Sequence, residues 1–569
     1  MLIGRTARKT TAPALLSLSL IASLPTTAGA QGPTCTPAID ISRSLVVTDG
    51  ALDKTKFAFS RTVDAILGSM AIAKTAENRE NFVKSMLTSL QDDDMVNPVS
   101  GLRMKVEVRP LEAGLDPKKL LNPADPAGLV PIALFNRLDA APIDWSNCGE
   151  HRIVYSFKAP IPPEAGLPPF RTSRFLLIFE ARVDNASPQK AGFEGCRAVA
   201  NFWRSLTDEN DEKMRAERLE QFYFTGIAGA SGPVVQAKNY GGPLGQVRGN
   251  IFMNSAAHQL RWQLREWIVV NSGQPTPASF VAVTVKDNPL SQFYLDANGP
   301  ASDPDDGPLD EAKETSERAE FQNQFLNTSL VRLLDPDVVR NFLKPGQPAY
   351  AAELDPANAA FDAEKYRIEV LNRFGARFEN RFNEFQSVSQ GDADNPRAKA
   401  GPTLQANLGT ALGQFVIDAQ QKPDVTQVLN RAGAVSCGGC HQFTADQPVA
   451  KIKGQTIVWP KSAGFVHVTE SGGLSDALTT TLLPFRRDRL GEAVCIEAAP
   501  ITMSAAPNAS MALDSARQSR WQSLVATARD EKDPAAQRTR TREAVRAITV
   551  QRQEEIQKPG YFVTNRRPH

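Results

Sequence analysis

Ser436-Cys437-Gly438-Gly439-Cys440-His441-Gln442-Phe443 is the stretch from which the rest of this chain is read. Two thiols separated by two residues, with an imidazole directly after, form the attachment signature of a c-type haem. The thiols can add to the two haem vinyl groups, which leaves the adjacent imidazole beneath the iron as an axial ligand. Gly438 and Gly439 let the backbone turn close to a porphyrin. The spacing predicts one covalently attached haem c, with Cys437 and Cys440 as attachment points and His441 as the iron ligand. A bare dithiol or a metal knuckle is the alternative for the same side chains.

On the other side of the iron, the first candidate is His467, in Gly464-Phe465-Val466-His467-Val468. A histidine on an exposed strand is its plainer reading. Met503 and then Met511 are the next candidates. Histidine or methionine there closes the iron and favours electron transfer, whereas an open position admits peroxide or another small ligand. Phe443, Trp459, Phe465 and Phe485 pack either round the porphyrin or in an ordinary core. Arg486 and Arg487 suit the haem propionates, because guanidinium groups pair well with carboxylates. Exposed surface arginines are the competing reading.

The N-terminus fits a compartment in which haem is attached after export. Arg5, Arg8 and Lys9 precede the short apolar run Ala14 to Leu24, and Ala28-Gly29-Ala30 offers a small-x-small cleavage site. Residues 1–30 therefore read as a signal peptide, and the expected location is periplasmic or extracellular. No later stretch reads as a transmembrane segment of the mature chain. Cys35, Cys148, Cys196 and Cys495 remain outside the haem motif, and an oxidising compartment permits two disulfides. Three pairings are possible. Cys148 with Cys196 is preferred because both fall in one candidate domain, which leaves Cys35 with Cys495 by elimination.

Charge excludes a nucleic-acid partner. Without Arg5, Arg8 and Lys9, 61 of the 64 basic residues remain against 63 acidic ones, with no basic run. A chain of 569 residues is too long for one ordinary domain. Residues 31–99 read as a helical segment, with Phe57, Phe59, Val63, Ile66 and Leu67 on one face. Residues 100–300 read as a mixed α/β domain, with strands expected near 104–108, 152–157, 174–183, 268–270 and 280–285. Helices are expected there over 196–206 and 215–224. Residues 301–397 read as a helical linker and packing region that carries Phe321, Phe325, Leu330 and Leu333, then the run from Ile368 to Phe385. Residues 398–511 form the haem region, entered through helices at 403–418 and 425–432, and 512–569 are a charged extension. The fold class is thus multidomain α+β: a β-containing N-terminal domain, then a mainly helical haem domain.

Other polar clusters carry less chemistry. Glu150 and His151 follow Cys148 and read as a strand with structural hydrogen bonds or ion pairs, with a catalytic pair as the alternative. Phe179-Glu180-Ala181-Arg182 and Trp262-Gln263-Leu264-Arg265-Glu266 set charges beside apolar residues. His258 reads as a surface or packed histidine. Asp296 to Asp310 is an acidic loop that lacks the spacing of a helix-loop-helix calcium site, so it reads as a solvated linker.

The run from Ser436 to Phe443 resembles a mono-haem cytochrome c region. Trp459-Pro460, Gly464 to Val468, Leu483-Pro484-Phe485-Arg486-Arg487, Asn147-Cys148-Gly149-Glu150 and Leu219 to Phe224 extend the likeness. With them the chain is similar to a poorly characterised bacterial exported protein family with a C-terminal mono-haem cytochrome c-like region. The chain departs from a small cytochrome c in having no methionine between His441 and Met503, and some 400 residues ahead of the motif. The resemblance implies electron transfer or redox sensing, with an unidentified redox partner or a small oxidisable substrate. A haem peroxidase or oxygenase-like enzyme with an open distal site is the alternative, and a secreted binding or structural protein is the third. No catalytic residue carries over, so the sequence leaves enzymatic status open.

Overall fold

Large apolar side chains alternate with polar ones through four long segments, and these segments build one antiparallel sheet. The computed structural model describes residues 37–496, except 97–102, 142–144, 160–172, 242–244, 256–260, 271–277, 284, 286–290, 297–310, 335–386, 390–395, 414–422, 435 and 453–454. The expected signal peptide, Cys35, His258, the helical run 368–385, Met503, Met511 and the extension 512–569 lie outside the described residues.

Strand β1 (Val46–Val47) comes first, followed by a small separate hairpin of β2 (Asp94–Val96) and β3 (Arg103–Lys105). The main strands are β4 (Leu129–Arg137), β5 (Asn147–Phe157), β6 (Arg174–Asp184), β7 (Gln246–Phe252) and β8 (Trp262–Val270). Shorter strands β9 (Ser279–Val283) and β10 (Ser387–Ser389) pair with the two halves of β8. The order across the sheet is β1-β4-β5-β6-β7-β8-β10, with β9 beside β8. The content is mixed α/β. Among the described residues no helix is long and apolar enough to cross a membrane.

Register decides which residues share a face. Ile153 pairs with Phe179 and Tyr155 with Leu177, so one face carries large apolar groups. Helices Phe59–Ser69, Ala76–Thr88 and Arg197–Ser205 cover it. Phe59 packs edge-on to Tyr155 at 5.4 Å, Phe82 stacks on Phe280 at 4.2 Å, and the Tyr155 hydroxyl donates to the Phe57 carbonyl. Each fully buried aromatic of this kind contributes about 2–3 kcal/mol from area removed from water.

The helix expected through the N-terminal segment is broken at Ala71, whose φ of 57° leaves helical geometry. Thr75 then caps the next helix by accepting from the Asn78 N–H. Strand β7 was not expected, because Gly249 interrupts its pattern. Glycine is required there: a Cβ would lie 2.7 Å from the indole of Trp267. Cys148 and Cys196 are disulfide-bonded, with Cα atoms 5.2 Å apart, and tie the start of β5 to the helix beginning at Arg197. Cys495 is also disulfide-bonded.

A second apolar cluster forms where helices Glu311–Gln324, Pro402–Gly413 and Val425–Ala434 meet. Phe321, Phe325, Leu330, Leu333, Leu404, Leu408 and Leu412 are all buried there, as their helical spacing predicts. The following segment returns to the sheet: Val466, Val468, Leu478, Leu482 and Leu490 belong to the same core as the strands.

His151 lies on the helix-covered apolar face, where its Nδ1 accepts from Trp203 Nε1 at 3.1 Å. An indole N–H only donates, so this nitrogen carries no proton. Burial pushes the imidazole down to about 3. The folded value lies below the ordinary 6.5 of the unfolded chain. Stability from neutral His151 is therefore complete above that value and is lost as pH falls toward the folded one. One such group contributes a slope of about 1.4 kcal/mol per pH unit. In urea titrations across this acid range, His151→Phe is expected to show a shallower loss of stability than the parent; an unchanged slope would place the acid sensitivity elsewhere.

Candidate functional site

The helix Val425–Ala434 delivers the motif, and its start is fixed by a reciprocal cap. The Asp424 carboxylate accepts from the Gln427 N–H, and the Gln427 side chain accepts from the Asp424 N–H. At the other end the Ser436 hydroxyl donates to the Gly433 carbonyl, and the Gly439 N–H donates to Ser436 Oγ. A Cβ on Gly439 would sit 2.0 Å from the Gly433 carbonyl oxygen. The second glycine of the motif is therefore required by the preceding helix, where sequence reasoning invoked approach to a porphyrin. Gly439–Phe443 continues as one wide π-helical turn, a geometry frequent at functional sites.

This turn separates the two thiols. Cys437 is buried among Phe252, Trp262, Leu264 and Val285 of the sheet layer. Cys440 is buried among Ala434, Val449, Ala450, Ile457 and Trp459. The β11 (Pro448–Ile452) and β12 (Gln455–Val458) hairpin supplies most of that second wall. Both cysteines are outside the disulfides.

His441 is held by a short relay from the sheet. Its Nδ1 lies 2.8 Å from the Phe465 carbonyl oxygen. A carbonyl only accepts, so Nδ1 carries the proton and Nε2 presents its lone pair. The same carbonyl accepts from Asn250 Nδ2 at 2.8 Å, and Asn250 Oδ1 accepts from Trp262 Nε1. Trp262 also lies against the His441 ring, with centroids 5.0 Å apart. Phe465 adopts φ 62°, a conformation that L residues occupy only under constraint, and its ring stacks on Trp262 at 5.6 Å. Burial, opposed by the Phe465 hydrogen bond and aided by Arg248, pushes His441 down to about 3. It is neutral at ordinary pH.

Nε2 of His441 has a cleft to face. Phe135, Arg152, Val154, Leu176, Ile178, Asn250 and Leu264 of the sheet line one side. His441, Val466, His467, Val468, Leu478 and Arg486 complete it, and the space is partly open to solvent. Ligand pockets are commonly lined this way, mostly apolar with a few placed polar groups. The floor is one sheet face: Phe135 is opposite Arg152, Val154 opposite Ile178, Leu176 opposite Asn250, and Asn250 opposite Leu264.

His467 is buried in this cleft. Ser475 Oγ lies 2.8 Å from its Nδ1, while its Nε2 lies 3.9 Å from Cys440 Sγ. Burial first, then the neighbouring His441 and Arg486, hold it well below the ordinary histidine value. The rings of His441 and His467 have centroids 4.8 Å apart. Two imidazoles on opposite sides of one metal ion need about 6 Å, given metal–nitrogen distances of about 2 Å. Shared ligation therefore requires the rings to separate.

A buried charge ladder continues from the cleft. Glu150 and Glu180 both pair with Arg152, at 2.7 and 3.0 Å, and Glu180 and Glu266 pair with Arg248. Burial opposes the charged form of Arg248, but Glu180, Glu266 and then Cys437 outweigh it and raise its value. Asp139 pairs with Arg137 at 2.9 Å and with Arg486 at 3.8 Å. Arg152 Nε is buried with no hydrogen-bond partner among the described residues.

The donor set is the kind a haem takes: two buried thiols outside the disulfides, a buried neutral imidazole, an apolar cleft, and buried cations beside it, although neither thiol is among the residues that line the cleft. Among the described residues no group of three or more His, Cys, Asp or Glu side chains is set to hold a metal ion by itself. Of the residues singled out from sequence, Cys437, Cys440, His441, His467 and Arg486 come together. Phe465 contributes its backbone carbonyl, and Trp459 packs behind Cys440. Arg487 points away, exposed and paired with Asp488. Glu150 joins the ladder, whereas His151 faces the other side of the sheet. Sequence reasoning missed Arg152, Asn250 and Trp262 as parts of this site. The available signal was the set of charges beside apolar strand residues around Glu150, Glu180 and Trp262. Comparison with family models, curated proteins and solved structures finds no match to this chain.

Replacing Asn250 by leucine keeps the volume but strands the Trp262 N–H and removes one donor from the Phe465 carbonyl. A buried polar group left unsatisfied costs about 1–3 kcal/mol. Asn250→Leu is expected to lose that much in urea denaturation; a loss below a few tenths would mean that the relay does not hold the His441 loop.

Proposed function

We propose that this chain is an exported c-type haem protein that serves electron transfer or redox sensing, with residues 398–511 as its cytochrome c-like region. Cys437 and Cys440 would hold the haem as thioethers, and His441 would ligate it through Nε2. The observation that carries this reading is the hydrogen bond from His441 Nδ1–H to the Phe465 carbonyl, which fixes the tautomer with the lone pair on Nε2, in a buried, neutral imidazole lining the cleft. Bound haem supplies a one-electron couple whose potential depends on axial ligand, burial and neighbouring charge.

The chain's own residues divide the remaining work. Phe465 and Asn250 orient the ring of His441. Val154, Leu176, Ile178, Leu264, Val466 and Val468 limit water at the cleft. The bond between Cys148 and Cys196 supports a periplasmic or extracellular location, because such bonds persist in oxidising compartments. The partner proposed is an unidentified redox protein or a small oxidisable molecule.

The alternative is a peroxidase- or oxygenase-like enzyme with an open distal site, in which His467 would stand off the iron as an acid–base group. The 4.8 Å between the His441 and His467 centroids is shorter than either arrangement needs, so both require the rings to separate.

The test is full-length protein produced with a c-type haem maturation system. Haem is expected to remain on the chain in a denaturing gel, and to be lost in the Cys437→Ala, Cys440→Ala double variant. A low-spin spectrum that resists added ligands supports electron transfer through a closed iron, and His467→Ala then turns it high-spin. A high-spin parent that binds carbon monoxide supports the second reading. Correctly exported protein without haem overturns both.

A further inference from the structure

The cleft has a chemical polarity that the haem motif does not explain. Its long axis crosses β4 to β8, four strand spacings of about 4.8 Å each. His441 stands over the β7–β8 side, against Trp262 and Asn250. Two guanidinium groups stand at the β4–β5 side. Arg152 projects from β5 directly opposite Phe135 of β4, and the Arg486 guanidinium lies 6.0 Å over that same phenyl ring. Between these ends the lining is almost wholly aliphatic.

Both arginines are at most 5 % exposed, and no carboxylate lines the cleft itself. Their acidic neighbours are shared. Glu150 and Glu180 serve Arg152, but Glu180 also serves Arg248; Asp139 serves Arg486 at 3.8 Å while holding Arg137 more closely. Burial first, then the nearby Arg137, hold Arg486 well below the ordinary guanidinium value; burial first also lowers Arg152. The four arginines of this network are matched in number by four carboxylates, but only Arg152 and Arg486 line the cleft, so an anion entering it meets guanidinium groups and no carboxylate. Arg152 Nε, buried and unpartnered, gives that anion a donor.

We propose that Arg152 and Arg486 form a carboxylate clamp at the β4–β5 end of the cleft, and that it takes the propionates of the haem. The inference rests on the haem reading and adds an orientation: the acidic edge of the macrocycle faces the sheet interior, and Arg487 takes no part. Guanidinium and carboxylate match in geometry, and a charge-assisted pair is about twice as strong as a neutral hydrogen bond.

A ligand-by-mutant cycle tests it in the full chain carrying Cys437→Ala and Cys440→Ala, where haem binds without covalent attachment. Haem is expected to bind about tenfold or more tightly than haem dimethyl ester, the scale of one such pair. Adding Arg152→Met and Arg486→Met is expected to abolish that preference, whereas Arg486→Lys retains part of it. A purely structural role would weaken acid and ester alike. Equal affinity of the two porphyrins for the parent overturns the clamp, even if the gel shows covalent haem in the unmodified protein. If the Cys437→Ala, Cys440→Ala chain takes up neither porphyrin, the covalently loaded protein decides. Well above the carboxylate range of pH, Arg486→Met is expected to lower the midpoint potential by about 59 mV, a tenfold shift of a one-electron couple. An unchanged potential overturns the clamp, and absence of covalent haem overturns the underlying reading instead.

Discussion

A β-strand sends alternate side chains to opposite faces, and the five long strands of this protein pair antiparallel side by side, so two faces must be buried. That constraint organises the molecule. One face solves it with aromatic packing under helices, from Phe59 on Tyr155 to Phe82 on Phe280. The other face carries aliphatic residues at its centre and charges towards its ends. It is covered by the chain that follows the cysteine motif, through Val466, Val468 and Leu478. The candidate site lies at this second contact, where a loop meets a sheet without filling the space between them.

Burial of charge gives that contact its specificity. Taking a guanidinium or carboxylate out of water costs several kcal/mol, and partners must offset the loss. Glu180 pairs with both Arg152 and Arg248, and Gln246 donates to it as well. Such a ladder adds little net stability compared with apolar packing, but it penalises any arrangement that separates its members. The carboxylates lie outside the lining of the cleft, so the charges it presents are those of Arg152 and Arg486. The charges beneath the site and the packing of the sheet are thus two aspects of one arrangement.

The electronic state of His441 depends on a backbone atom. The Phe465 carbonyl can only accept, so it fixes which imidazole nitrogen is protonated. Its own position depends on Asn250 and Trp262, residues of adjacent strands. Sheet register is in this way coupled to ligand orientation across more than 170 residues of chain. This gives the large region ahead of the motif a structural role: it supplies the floor of the cleft.

Much of this was legible in the sequence, because local chemistry depends on local spacing. Cys437, Cys440 and His441 define their motif within five residues, and Leu404, Leu408 and Leu412 mark a buried helix face by their period. Alternating runs announced the second half of β5 and nearly all of β6, and only the last three residues of β8 were expected; β4 was not, and Gly249 concealed β7, because only the position of Trp267 explains its absent side chain. The pairing of Cys148 with Cys196 also followed from their common domain. What the sequence determined by itself was therefore the cysteine–histidine motif and many of the elements. Only the tertiary structure decided that Arg152 and Asn250 reach His441's cleft, that Arg486 is buried while Arg487 is exposed, and that a carbonyl 24 residues downstream sets the tautomer. Those relations join residues distant in the chain, and they are fixed by strand register and by the cost of leaving buried polar groups unpaired, neither of which local spacing encodes.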